Sequence, residues 1–322
     1  MRFLELLSEL RTPLLDKFFL LITELGGEMA FIAVAVVVFW CFSKKDGYLL
    51  MTIGFVGMVA NQFLKLSFRV LRPWVKNPDF KAVGAAIPDA GGFSFPSGHT
   101  QNSVGLYGTL ATVSKSSLTR AIFLVLCLVV PFSRLYLGVH TPIDVGFSFF
   151  FAIFLICVFK PIFERIYKNT AHMMSFLFLL SALAILFVIY VQFIFDPSKL
   201  SSDQVENYVS ALKNAYLILG AIVGVLIALP IERHFIKFSE SGKWYTQVLK
   251  SAVGLVLVLV LLEGLKLPLN YILPENTLAR ALRYGLVVFF AISIYPLSFK
   301  WFKLLENSIE MSRKTRKIKK QQ

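Results

Sequence analysis

Three short stretches of this chain hold the residue types that handle a phosphoryl group. The first, Lys65 to Pro73, carries Lys65, Arg69 and Arg72. Lys65 and Arg72 stand two helical turns apart, a spacing that predicts both on one side of a helix ended by Pro73, with Arg69 on the same side. Cations stacked at a membrane boundary repel one another unless an anion binds between them. The second stretch, Pro96 to His99, reads as a helix start with Ser97 as its cap and the backbone amides of Gly98 and His99 unpaired. Such amides bind phosphate oxygens, and a glycine lets the main chain come close. The third stretch runs from Ser133 to Asp144. Thr141 can cap a helix beginning at Pro142, which puts Asp144 in the first turn, within reach of His140. A carboxylate that accepts from one imidazole nitrogen fixes the tautomer and leaves the other nitrogen free to attack. Arg134 adds a planar cation suited to non-bridging phosphoryl oxygens. Snorkelling, plain capping or core packing would explain any one of these stretches, but not all three together.

Together they resemble the signatures of the type 2 phosphatidic acid phosphatase superfamily, Lys-x6-Arg-Pro, Pro-Ser-Gly-His and Ser-Arg-x5-His-x3-Asp, with every motif position present at the family's spacing. The resemblance spans about residues 47 to 160. It implies a phosphoric monoester hydrolase in which His140 attacks phosphorus, Asp144 orients it, and His99 protonates the departing oxygen. Lys65, Arg72, Arg134, Ser97 and Gly98 would hold the equatorial oxygens. Phosphoryl transfer asks for positioning and charge stabilisation more than covalent help, so cations and helix-terminal amides can serve where other enzymes use a metal. No cofactor is called for, and no metal-ligating cluster stands out in the sequence.

The elements that must position these residues are membrane helices. Of 322 residues, 57% are hydrophobic and 16% charged, too apolar for an ordinary soluble domain of this length. The reading is an all-α integral membrane protein with about nine crossings, near 20–42, 47–69, 99–114, 119–139, 142–162, 173–195, 209–231, 246–268 and 281–303. The third is the shortest, and its Gly105 and Gly108 suggest close packing inside a bundle. Before them, Phe3, Leu7, Leu10 and Leu14 form a stripe that predicts an amphipathic interfacial helix, without the marks of a signal peptide. The expected organisation is an interfacial helix over 1–19, a phosphatase core over 20–168 with an active-site loop at 73–98, accessory spans over 169–303, and a basic tail over 304–322. The layout is similar to the glucose-6-phosphatase branch of the superfamily. The net charge of +14 gathers almost wholly on the face bearing the tail, which the positive-inside rule makes cytoplasmic. That puts the N-terminus and all three stretches on the lumenal, periplasmic or extracellular face. In a bacterium the membrane would be the inner one.

Several function classes are weighed or excluded on the same grounds. Basic residues on so apolar a chain set orientation rather than bind nucleic acid, and the tail can also touch anionic lipid. Cys41, Cys127 and Cys157 read as buried small hydrophobes rather than a disulfide or metal set. His172 and His234 fall on the opposite face from the site, and the polar loop from Asp196 to Lys213 reads as a linker. The partners are the bilayer and a phosphorylated substrate. A lipid phosphate is favoured by the resemblance and by Trp74, Phe80, Val83, Ile87 and Phe93, which suit either a lid or ordinary loop packing. The alternatives are a sugar phosphate, a phosphotransferase passing the group to an alcohol, and a binding or transport module without catalysis.

Overall fold

Long apolar runs with few interruptions leave the chain one solution in a bilayer, because backbone groups there must be satisfied within the segment. The computed structural model, which describes residues 1–273 and 277–321, is built of helices with no strand among the described residues. In chain order they are α1 (Arg2–Glu9), α2 (Pro13–Glu24), α3 (Glu28–Cys41), α4 (Lys44–Phe68), α5 (Pro73–Lys76), α6 (Gly98–Ser103), α7 (Thr109–Val113), α8 (Ser117–Tyr136), α9 (Pro142–Ile166) and α10 (Thr170–Ile189). Then follow α11 (Ser202–Ile231), α12 (Trp244–Gly264), α13 (Lys266–Ile272), α14 (Thr277–Phe289) and α15 (Phe299–Gln321).

Seven helical stretches among the described residues are long and apolar enough to cross a membrane, or eight if the pair α2 and α3, bent by 49°, forms one span. Each of the nine expected crossings has a helical counterpart, but the third does not qualify by length. It runs from Gly98 to Val113 through a wide turn at Val104–Gly108, reaching about 24 Å at 1.5 Å per residue against a hydrocarbon core of ~30 Å. The expected leader helix is two helices. It breaks because Thr12 accepts from the Leu15 amide (3.3 Å) and caps α2 at Pro13. Leu4 and Leu7 turn inward from α1, while Phe3, Leu10 and Leu14 stay exposed. The polar linker after α10 is shorter than expected, since α11 already begins at Ser202.

The chain forms two compact units, one of Met1–Ala35 with Tyr48–Leu219 and the other of Val36–Gly47 with Gly220–Gln322. All three phosphate-handling stretches lie in the first. There α6 packs on α8 and α9, and α2 packs on α8. The 77–97 loop folds back on the end of α8, with Ala86 and Ala90 joining Tyr136, Leu137 and Val139 in one apolar cluster. Val83 N–H donates to Leu137 O (3.0 Å). Phe93 enters a second cluster with Leu66, Phe187, Val191 and Phe195. Of the five apolar residues that suited either a lid or loop packing, Ile87 alone is exposed and the others are turned inward, as packing would have them.

Gly138, two residues before His140, shows how tightly this corner is built. Its φ of +73° suits glycine, and a Cβ there would stand 2.6 Å from Arg11 Nη2 and 2.8 Å from the Phe80 ring. Gly138→Ala is expected to cost about 1–2 kcal/mol from backbone conformation alone, with more from displacing Phe80. Thermal unfolding in detergent checks this, and an unchanged midpoint would show that the corner relaxes freely.

In the second unit the helices approach through glycine, as expected where lipid removes the hydrophobic drive to associate. A Cβ on Gly220 would overlap the Ala281 carbonyl, and one on Gly224 would lie 2.6 Å from Gly285 O, so α11 and α14 meet backbone to backbone. Trp40 Nε1 donates to Ala291 O (2.8 Å), and Lys44 pairs with buried Glu232 (2.6 Å). Of the cysteines, Cys41 and Cys127 are buried, but Cys157 is exposed on α9, correcting the reading that all three are buried. The tail side chains from Arg313 onward lie outside the described side chains.

Candidate active site

His140 sits in the short connection between α8 and α9, fully buried, in reach of a cation and a carboxylate. Arg72 Nη1 lies 2.9 Å from His140 Nε2 and 3.4 Å from Nδ1. A guanidinium can only donate, so the closer nitrogen, Nε2, must be the acceptor. The ring proton then belongs on Nδ1, which faces Asp144 Oδ2 at 3.6 Å. That distance is a close approach, too long for a hydrogen bond. The local fold fixes the carboxylate: Thr141 and Asp144 form a reciprocal capping box at the start of α9, with Thr141 N–H donating to Asp144 Oδ2 (2.8 Å) and Asp144 N–H to Thr141 Oγ1 (3.3 Å). Ser94 Oγ also donates to Asp144 Oδ2 (2.6 Å).

Arg72 reaches this place by a different route from the one the spacing predicts. Helix α4 stops at Phe68, Arg69 takes a left-handed φ of 50°, and Arg72 is extended ahead of Pro73, which starts α5 instead of ending α4. A residue before proline disfavours the helical region, and proline suits a first helical turn. Lys65 and Arg72 thus do not share a helix face, yet both are buried. Arg72 clamps the loop by donating to Gly91 O (2.8 Å), Gly92 O (3.1 Å) and Val139 O (2.9 Å), and Lys65 Nζ donates to Phe93 O. Arg69 is exposed and lies over the Phe195 ring at 4.6 Å, so it does not join the group.

Arg134 is completely buried. One of its nitrogens donates to Thr23 Oγ1 (2.6 Å), while Nε and Nη2 have no partner. A buried guanidinium with two open donors is costly to keep, and an anion would satisfy it. Ser97 caps α6, accepting from Thr100 N–H (3.4 Å) and Thr100 Oγ1 (3.0 Å), and its own N–H donates to Asp144 O (3.3 Å). Gly98 and His99 then occupy the first turn, where amides have no intrahelical acceptor. The His99 side chain makes no hydrogen bond among the described residues. His99 is held from behind by the α2–α3 corner, where a Cβ on Gly26 would come 2.9 Å from His99 O.

His140 lies outside the spanning helices. Burial first, and then the charges of Arg72, Arg134, Lys65 and His99, push its imidazole well below the ordinary histidine range. The ring is therefore neutral near pH 7, with a lone pair on Nε2.

Residues outside the motifs complete the group. Ser94 binds Asp144, Thr23 holds Arg134, and Asn61, one helical turn before Lys65, is buried with both amide atoms unpaired. An ideal Cβ on Gly98 would stand 3.9 Å from Asn61 Oδ1. Asn61 carried a readable signal, a polar side chain four residues before Lys65 in an apolar helix, whereas nothing in the sequence marked Ser94 or Thr23. His172 and His234 are exposed and take no part in this group.

Two family descriptions match the chain, "PAP2 superfamily" over residues 45–168 and "PAP2 superfamily phosphatase, transmembrane extension" over 216–308. The chain belongs to the PAP2 superfamily. It is an integral membrane phosphatase of that superfamily, with its phosphate-handling motifs inside the first matched region. Phosphatidylglycerophosphatase B of Bacillus subtilis (strain 168) is 28% identical over 172 residues, 49% of this chain and 79% of the relative. Undecaprenyl-diphosphatase BcrC of the same organism is 29% identical over 170 residues, 48% of this chain and 83% of the relative. No solved structure matches.

Proposed function

We propose that this PAP2 phosphatase hydrolyses a lipid phosphate through a phosphohistidine on His140, at a site on the non-cytoplasmic face. The observation that carries the mechanism is a buried His140 whose Nε2 accepts from Arg72 while its Nδ1 faces Asp144. On substrate entry Arg72 turns its donor from Nε2 to a phosphoryl oxygen, which frees the nitrogen lone pair for in-line attack. Lys65, Arg134 and the Gly98 amide take the remaining oxygens, with Ser97 holding that turn. The P–O bond to the leaving group breaks as the N–P bond forms, and His99 delivers the proton to the departing oxygen. Water, deprotonated by His99, then attacks the phosphohistidine and releases phosphate with His140 neutral again.

Two observations support a lipid. Both relatives carry names that describe lipid phosphatases. An apolar groove of about 410 Å³ also runs between α4, at Val56, Val59 and Phe63, and α10, at Leu180, Leu183 and Phe187, and could hold an acyl or prenyl chain. The orientation rests on the concentration of basic residues on the tail-bearing face.

Rapid quenching with a phosphoryl-labelled phosphatidic acid is the direct test. It should trap label on the protein in an acid-labile, base-stable form, and absence of any such species during a burst would overturn the phosphohistidine. A panel of phosphatidic acid, phosphatidylglycerol phosphate, polyprenyl phosphates and glucose 6-phosphate should favour the lipids; preference for the sugar would overturn that part. The depressed imidazole also sets a pH expectation. The attacking ring must be neutral, and its neutral form persists below the ordinary histidine range, so kcat/KM should hold on acidification past that range before falling. An acid limb at or above the ordinary value would contradict it.

A further inference from the structure

We propose that the second unit binds a phospholipid with an anionic, hydroxyl-bearing headgroup, at a site formed by α12, α15 and the segment leading into α15, which shares no residue with the phosphatase group. The site has two adjoining parts. One is a cavity of about 450 Å³ with a mixed lining that includes the polar side chains of Gln247, Lys250, Lys300, Lys303 and Glu306. The other is an almost wholly apolar groove of about 590 Å³ that includes Val253, Leu257, Ile294 and Trp301. Leu297, Lys300 and Phe302 line both, so the two join into one amphiphilic surface.

The first part has unmet needs of a definite chemistry. Lys250 is buried at 4% exposure; its ammonium donates to Trp40 O (2.9 Å) and lies 4.4 Å from the Phe299 ring centre. Among the described residues it has no carboxylate within ion-pair distance. Glu306 does not neutralise it, being engaged by Lys243 N–H (3.1 Å), Thr246 Oγ1 (3.0 Å) and Lys303 Nζ (3.3 Å). Lys300 adds a second cation at the junction of the two parts. A phosphate oxygen is the natural partner for these ammonium donors. Gln247 asks for the opposite: its Nε2 donates to Cys41 O (3.2 Å) and Glu240 O, which leaves Oε1 buried and without a donor. A headgroup hydroxyl supplies that donor. A glycerol phosphodiester with acyl chains in the groove answers all three features, whereas a choline headgroup brings neither the net charge nor the hydroxyl.

Phosphatidylglycerol is a suitable probe because, as a diester, it is not a substrate for a monoesterase. The full chain in detergent would be examined by native mass spectrometry with added phosphatidylglycerol, phosphatidylcholine or inorganic phosphate. Wild type should retain one phosphatidylglycerol through activation that strips phosphatidylcholine. Lys250→Met, and separately the surface pair Lys300→Ala with Lys303→Ala, should weaken retention about tenfold or more. Leu257→Trp, which fills the groove, should also weaken it, and His140→Ala should leave it unchanged. Equal retention by the lysine variants, or equal retention of phosphatidylcholine, would overturn the site. Saturable inorganic phosphate binding with no effect of Leu257→Trp would reassign the cavity to a free anion. Loss of the lipid in His140→Ala would place it at the phosphatase group. If Lys250→Met does not fold, the Lys300 and Lys303 pair decides the question.

Discussion

His140→Ala is expected to lower phosphate release by on the order of 10⁴-fold or more, the scale seen when a covalent nucleophile is removed. Among the described residues the neighbouring serine hydroxyls are committed elsewhere, Ser94 to Asp144 and Ser97 to capping α6. The fold should survive, because Arg72 keeps its three backbone carbonyls and the Thr141–Asp144 box does not use the ring. Steady-state phosphate release beside a thermal unfolding scan would check both halves. Near-normal turnover in a folded variant would mean that another group, or water directly, attacks phosphorus.

Arg134→Leu should separate activity from stability. Loss of a charged ligand to the phosphoryl oxygens costs ~3 kcal/mol of transition-state stabilisation, roughly a hundredfold in kcat. Stability should hold or rise, because the variant removes a fully buried cation with one hydrogen bond and two unpaired nitrogens. The cost is an open Thr23 hydroxyl. A purely structural arginine predicts the reverse pattern, a clear fall in the unfolding midpoint with activity lost only in proportion to folded protein. That outcome would remove Arg134 from the phosphate site.

The motif residues were legible because each type carries its chemistry openly, and the fold does gather His140, His99, Lys65, Arg72, Arg134 and Asp144. The path of the backbone between them was less so. Helical spacing put Lys65 and Arg72 on one face, but Pro73 acts on the residue before it and opens a new helix, so Arg72 arrives from an extended segment. Ser94 was hidden because a loop serine looks alike whether it meets water or a carboxylate fifty residues away. The spans were legible as apolar runs, while the shortness of Gly98–Val113 and the bend between α2 and α3 depend on packing that hydropathy does not register. The division into compact units at Leu219–Gly220, inside the unbroken apolar run of α11, left no compositional trace.

Asp144 Oδ2 is a single oxygen with three claimants: the Thr141 amide, the Ser94 hydroxyl and the His140 ring. One atom therefore serves as an architectural peg for α9 and, in the proposed mechanism, as an instrument of the chemistry, so either use alone is enough to keep the aspartate. In a descendant of this architecture that abandoned hydrolysis, the histidine would be free to drift while the aspartate stayed pinned by its helix. Loss of the histidine with retention of the aspartate would then be the expected mark of a lapsed enzyme, and the aspartate alone a poor witness to activity.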